Sequence, residues 1–301
     1  MKPALLVIVV LVVALGCRPA SKVQVTQDLR YIGFELLDVY TSSSPATGRP
    51  VIVTLHGCCG DKQDLSLLAY RLAEDGAVVF NASWRTLRRG GGFPVSYQDV
   101  ACAVRFARAT ATDRGGDPRR ITVVGWSDGA LPGAVVANAG DDFPGDCPVE
   151  GASALPDAFV GVSGFPGWSG RGGAVDPGLV NEDTVGFFGG TPATAARAWS
   201  AGNAYTDLGR NRGLQVRLVI GGDDPLLAEN VCFARASQRA GHETKLTVVR
   251  NAAELSLIAP RTPEGRAAVD EIMAAARGER VHGTEAVAAP AQGCPGEGSS
   301  P

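Results

Sequence analysis

An α/β fold, with a mostly parallel sheet covered by helices on both faces, is predicted by three observations. Strand-like and helix-like patterns alternate along nearly the whole chain. The strand patterns are short continuous aliphatic runs, such as residues 51–55, 121–124 and 214–220, as expected of strands buried on both faces. One of these runs leads into Gly125-Trp126-Ser127-Asp128-Gly129, followed by the small, apolar stretch 130–139. A strand, a tight glycine turn and a helix form the context in which Gly-x-Ser-x-Gly holds a serine hydroxyl out above a sheet. A chance match in a chain with 39 glycines is the competing reading, and these flanks argue against it.

The elements follow in order. Residues 1–17 read as an export signal: Lys2 supplies a positive charge, residues 4–15 are an unbroken apolar run, and Gly16-Cys17 follows. The run is short for a bilayer span. A small residue before Cys17 is similar to a bacterial lipobox, although Ala14 and Leu15 stand in reversed order; cleavage there and lipidation of Cys17 are expected. An ordinary secretory signal or an uncleaved anchor is the alternative. Residues 18–27 are expected to be a tether, residues 28–279 the folded domain, and residues 280–301 a disordered tail of Ala, Gly, Pro and Ser. Within the domain, residues 31–40 alternate as a strand, 41–49 form a loop, and 51–55 form a buried strand ending at His56-Gly57-Cys58-Cys59-Gly60. A helix over 65–74 stops at Gly76, a strand covers 77–80, and 86–94 is a flexible loop. A helix over 97–110 precedes the serine turn.

After the turn, 159–163 reads as a strand, and 164–197 is rich in Gly, Pro and aromatics and long enough to cover a site. Residues 214–220 form a strand ending at Gly221-Gly222-Asp223-Asp224-Pro225. Helix, strand and helix then occupy 226–240, 245–249 and 263–277.

Composition narrows the function. The net charge is −3, from 28 Lys and Arg against 31 Asp and Glu, and no basic patch points to nucleic acid. The six cysteines after Cys17 are compatible with disulfides in an exported protein. Adjacent Cys58 and Cys59 are expected not to pair, because neighbouring α-carbons stand about 3.8 Å apart, below the usual disulfide range. No C-x-x-C pair is present and the chain has only three histidines, so neither a metal nor another cofactor is implied.

Over residues 31–275 the order of motifs resembles the α/β-hydrolase superfamily, in its hormone-sensitive-lipase-like and feruloyl-esterase-like branch. The resemblance rests on Leu37-Asp38-Val39-Tyr40, Val53-Thr54-Leu55-His56-Gly57, Asp61-Lys62 and Gly116-Asp117-Pro118-Arg119-Arg120-Ile121. The serine turn, Phe187-Phe188-Gly189-Gly190-Thr191 and Gly221-Gly222-Asp223-Asp224-Pro225 complete it. It implies Ser127 as nucleophile and Asp224 as the acid, with Asp223 its close competitor. It also implies an oxyanion hole from the backbone N–H of Asp128 and an N–H from Gly57, Cys58 or Cys59, and a bracing role for His56.

The resemblance also implies a histidine just beyond the last strand, and there the chain carries Glu254. His242 precedes that strand and His282 follows the last helix. A serine hydroxyl needs a base to take its proton, and a glutamate of ordinary pKa, about 4.3, is a weak one at neutral pH. Two expectations follow. One is a membrane-tethered, extracytoplasmic serine esterase of small acyl esters. The other is a catalytically degenerate lipoprotein of the same fold that binds a ligand or partner. The expected partners are a small ester or acyl ligand and a membrane reached through the lipid anchor. Arg88, Arg89, Phe93, Phe165 and Trp168 are expected at the pocket mouth.

Overall fold

The computed structural model describes residues 23–168, 175, 177–281 and 293–294. Among them, one sheet holds eight strands: β1 (Val23–Ile32), β2 (Glu35–Ser42), β3 (Arg49–Leu55), β4 (Val78–Ala82), β5 (Gly116–Trp126), β6 (Ala158–Val162), β7 (Gln215–Gly221) and β8 (Glu243–Val249). Their order across the sheet is β1-β2-β4-β3-β5-β6-β7-β8. The β1–β2 and β2–β4 pairs are antiparallel; every later neighbour pair is parallel. The helices are α1 (Ser66–Glu74), α2 (Val95–Thr110), α3 (Ala130–Ala139), α4 (Glu182–Phe188), α5 (Ala196–Ala201), α6 (Leu227–Arg239), α7 (Glu254–Leu257) and α8 (Pro263–Ala276). None of the described helices is long and apolar enough to cross a membrane.

Alternation along each strand splits the core into two layers. Val51, Val53, Leu55, Val123, Phe159 and Leu218 face one layer with Val100 and Val104 of α2, Val135 of α3 and Phe233 of α6. Ile52, Val79, Val124, Val160 and Val219 face the other with Leu68 and Leu72 of α1 and Val269 and Ile272 of α8. Burial on both sides explains why these strands read as continuous apolar runs. Local signals set the helix ends. The Thr262 hydroxyl accepts from Gly265 N–H at 3.0 Å, with Pro263 in the first turn of α8. Asn181 caps α4 in the same way, accepting from Thr184 N–H at 3.0 Å.

Three expectations are corrected here. β1 begins at Val23, inside the stretch expected to be a tether, and pairs with β2 from that first described residue onward. Cys294, in the expected tail, is buried and bonded to Cys232 of α6, with α-carbons 5.3 Å apart. The segment 86–94, expected to be flexible, is tied down: Phe93 N–H donates to the carbonyl of Phe187 at 2.7 Å. Cys17, the rest of residues 1–22, and His282 with most of the tail lie outside the described residues.

Candidate active site

The site is built at the C-terminal edge of the parallel strands. β5 ends at Trp126, and Ser127 follows with φ of +54°, a conformation an L side chain adopts only under constraint. The constraint is the packing of the turn. A Cβ at Gly129 would lie 2.6 Å from the carbonyl oxygen of His56 and 2.7 Å from that of Leu55, so only glycine lets α3 start this close to β3. Apart from partly buried Leu131, the residues of α3 are buried, which pins the turn from below.

The loop after β3 passes directly over the serine. A Cβ on Gly57 would stand 3.1 Å from Ser127 Cβ and 3.5 Å from its Oγ. His56 holds that loop in place. Its Nδ1 bonds the Gly57 carbonyl at 2.7 Å, its Nε2 faces the Trp84 N–H at 3.3 Å, and Trp84 Nε1 donates to the His56 carbonyl at 3.1 Å. The two rings stack with centroids 5.4 Å apart. Burial pushes the His56 imidazole below its ordinary pKa. With both ring nitrogens engaged and the residue fully buried, His56 is a brace and takes no proton from Ser127.

Cys58 and Cys59 turn outward at the tip of this loop and are bonded to each other. The expectation that neighbours cannot pair is overturned. Their α-carbons are indeed 3.8 Å apart, but the loop makes a turn at these two residues, which brings the side chains together. The remaining pair is Cys102–Cys147, with α-carbons 5.4 Å apart.

On the other side of Ser127 lies a cavity of ≈ 330 Å³. Its walls include Ser127, Ser163, Asp223, Asp224, Asn251 and Glu254. These come from the ends of β5, β6, β7 and β8, which the parallel register brings to one edge. Asp224 is half-buried and accepts from the Leu226 N–H at 2.9 Å through Oδ1; Asp223 is exposed. Glu254 opens α7 and is exposed at the cavity wall. Sequence reasoning therefore placed Ser127, Asp224 and Glu254 in one cavity, with Asp223 beside them.

It missed Ser163 and Asn251. Ser163 is 1% exposed, has φ of +38°, and its Oγ has no hydrogen-bond partner. Asn251 has φ of +54°. Of the four non-glycine residues with positive φ among those described, three line this cavity; the fourth is Asp28. For Asn251 the tolerance of asparagine for this region was a usable signal; for Ser163 the sequence carried none.

No described imidazole reaches the cavity wall. His242 sits just before β8, at the opposite end of the strands, where its Nε2 faces the Gly209 N–H at 3.0 Å and burial lowers its pKa. Negative charge collects instead. The Asp128 carboxyl is held above the usual carboxylate range, first by the surrounding protein and then by the charges of Glu254 and Asp183. The Asp128 side chain remains exposed at the mouth, so its own hydration moderates that effect.

Asp128 and the Cys58–Cys59 pair also border a second cavity of ≈ 300 Å³, walled by Trp84, Phe165, Trp168, Phe187, Phe188 and Trp199. Phe188 and Trp199 pack at 4.5 Å between ring centres, and Trp168 meets Phe188 edge-on at 5.6 Å. Arg88 lines this cavity as expected, with Phe165 and Trp168. Arg89 and Phe93 do not: Arg89 is paired with Glu35 at 2.9 Å, and Phe93 packs against Tyr97 in the core.

The strand order, the serine turn and the loop poised over it can be set beside known proteins. The BD-FAE family model matches residues 37–153. No curated protein matches the chain by sequence. Among solved structures, a truncated carbohydrate esterase from gut microbiota is similar over 86% of this chain and 98% of its own, at TM-score 0.71 and 16% identity. The chain has an α/β-hydrolase fold. Two further neighbours agree. A Pyrobaculum calidifontis esterase covers 87% of each chain at TM-score 0.67 and 20% identity. Thermogutta terrifontis esterase 2 phosphonylated by sarin covers 88% of this chain and 98% of its own, at TM-score 0.68 and 19% identity. The BD-FAE match includes Gly57, Cys58 and Ser127 and ends before Asp224 and Glu254.

Proposed function

We propose that this α/β-hydrolase is a carboxylesterase-like serine hydrolase of small acyl esters, acting through an acyl-enzyme on Ser127. The observation that carries the reading is the geometry at Ser127: a positive-φ serine at a strand end, with the Gly57 backbone at contact distance and Asp224 and Glu254 on the same cavity. In this reading the serine oxygen bonds to the acyl carbon. The carbonyl oxygen gains charge and is held by the N–H groups of Asp128 and of Gly57 or Cys58, each donor typically contributing about 3 kcal/mol. The acyl or alcohol group occupies the aromatic cavity beyond Asp128. Asp224 is the acid, and Glu254 stands in the position of the base. We further propose that Cys17 carries a lipid and that the domain works at the outer surface of a membrane.

A second reading, ligand binding without turnover, is favoured by one observation: among the described residues no imidazole lines the Ser127 cavity. A serine-directed fluorophosphonate separates the two. Thermogutta terrifontis esterase 2, a structural neighbour, is phosphonylated by such a reagent, sarin. Stoichiometric labelling, read by intact mass and absent in Ser127→Ala, supports the hydrolase. A folded chain that never labels refutes it.

A further inference from the structure

We propose that Cys58–Cys59 is an exchangeable disulfide, opened by a small dithiol, and that its bond holds the loop over Ser127 in shape. The link to Ser127 reactivity rests on the hydrolase reading; the exchange and the hold on the loop do not.

Access and chain length set this bond apart from the other two disulfides. Both of its cysteines are exposed. Cys102 is fully buried, and Cys232 and Cys294 are 5% and 6% exposed. Exchange requires a thiolate to reach a sulfur, so access decides which bond reacts. Cys58–Cys59 joins residues one apart in sequence, against 45 and 62 for the others. A bond that closes no long loop adds little to the stability of the fold, and the fold protects it correspondingly little. Its reduction therefore leaves the domain standing.

The same bond closes the tip of the loop. His56 Nδ1 bonds the Gly57 carbonyl at 2.7 Å, and that bracing reaches no further. Among the described residues neither Cys58 nor Cys59 makes a hydrogen bond. The next anchor is Asp61, whose carboxylate accepts from the Gln63 N–H at 2.8 Å. The Gly57 carbonyl and the Cys58 N–H belong to one planar peptide group. His56 orients that group from one side, and the disulfide closes the turn on the other. The group lies over the serine, where a Cβ on Gly57 would stand 3.1 Å from Ser127 Cβ. Both cysteines also wall the aromatic cavity, beside Trp84 and Asp128. Opening the bond frees the backbone of two residues between the braced Gly57 and Asp61, and with it the Cys58 N–H offered to the acyl oxygen.

In the exchange, one thiolate of the dithiol attacks a sulfur of the pair. The S–S bond breaks, its electron pair leaves on the other cysteine, and that thiolate takes a proton. The second thiol of the reagent gives up its proton and attacks the mixed disulfide. The second cysteine leaves as a thiolate and is protonated in turn. Two electrons and two protons pass to Cys58 and Cys59, and the dithiol closes as a cyclic disulfide.

The test treats the whole folded chain with dithiothreitol, without denaturant, and traps thiols with iodoacetamide. Peptide masses should show Cys58 and Cys59 alkylated while Cys102–Cys147 and Cys232–Cys294 persist. Amide order parameters of Cys58 and Cys59, from NMR relaxation, should fall from about 0.85 to below about 0.6 on reduction. Removing an oxyanion donor outright costs about 10²–10³ in rate, so a loosened one should slow labelling of Ser127 by an alkyl fluorophosphonate about 10-fold. The rate should recover when oxidised glutathione closes the bond again. Cys58→Ser/Cys59→Ser should label at the reduced rate with or without dithiothreitol. A Cys58–Cys59 bond that survives while the others open, or order parameters that do not move, overturns the inference. Order parameters that fall while both states label equally fast overturn the link to Ser127 and leave the hydrolase reading standing. If neither state labels, the hydrolase reading falls, and the order parameters alone decide whether the bond holds the loop.

Discussion

Replacing Ser163 by glycine should stabilise the protein, although it deletes a side chain from the core. Two separate costs meet at this residue. Its hydroxyl is buried without a partner, which costs about 1–3 kcal/mol. Its φ of +38° is strained for any residue with a β-carbon, at about 1–2 kcal/mol. Glycine removes both and gives back about 0.5–1 kcal/mol through the greater freedom of the unfolded chain. The net gain is about 2 kcal/mol, or about 4–8 °C in melting temperature for a domain of this size. Alanine removes the hydroxyl but keeps the strain, so Ser163→Ala should gain only the first part. Urea unfolding of the parent and both variants, with disulfides intact, measures each contribution. If Ser163→Gly is no more stable than Ser163→Ala, the strain is not there. If both are less stable than the parent, the hydroxyl has a partner in the folded protein.

Two further outcomes are expected elsewhere. Asp128 has its pKa raised in the folded state, so the native protein binds that proton more tightly than the unfolded chain, and stability falls as pH rises from about 3.9 through the raised value. Asp128→Asn should therefore have the higher urea midpoint at about pH 7, with the advantage gone at about pH 3; an unchanged midpoint at both refutes the assigned repulsion from Glu254 and Asp183. Of the disulfides, Cys102–Cys147 closes a separation of 45 residues, and replacing both cysteines by alanine should cost about 4 kcal/mol by chain entropy, whereas Cys58–Cys59 closes a separation of 1 and its loss should cost less than about 1 kcal/mol. Equal losses of melting temperature would contradict that ordering.

The strands legible in the sequence were those buried on both faces. Residues 51–55 and 121–124 could hardly be anything else once flanked by helical patterns. β1 escaped because it is the edge strand: residues 24–28 are all exposed, and its pairing with β2 rests on backbone bonds that leave no mark on residue type. The site divides in the same way. Ser127 was legible because the serine turn is a local structure with its own glycines. That Glu254 lines the cavity was legible because α7 follows β8 by a short connection, so that counting along the chain sufficed. Ser163 was not, since its backbone conformation and its unpartnered hydroxyl arise from where β6 ends against β5 and β7. The Cys58–Cys59 bond was misjudged by applying a distance rule for separated cysteines to a turn that supplies the geometry by itself.

The two halves of the Ser127 site are held by different means, and this bears on which of them the fold itself fixes. The oxyanion side is backbone: Gly57 over the serine, His56 bonded to its own loop and to Trp84, and α3 buried beneath. Changing any of these disturbs the core, so the geometry persists for structural reasons whether or not the serine reacts. The wall beyond β8, which the proposed reading makes the base side, is carried by exposed side chains, and Glu254 at the start of α7 is exposed. A substitution there therefore costs the fold little, which is why the fold alone says nothing about turnover. The strain bears on that point. Positive φ at Ser127 follows from the serine turn, but positive φ at Ser163 and Asn251, around the same cavity, does not. Costs of order 1–3 kcal/mol each persist where the surroundings over-determine them, and they collect at sites that bind or react. Three of them on one cavity wall argue that the space between Ser127 and Glu254 is still shaped for an occupant.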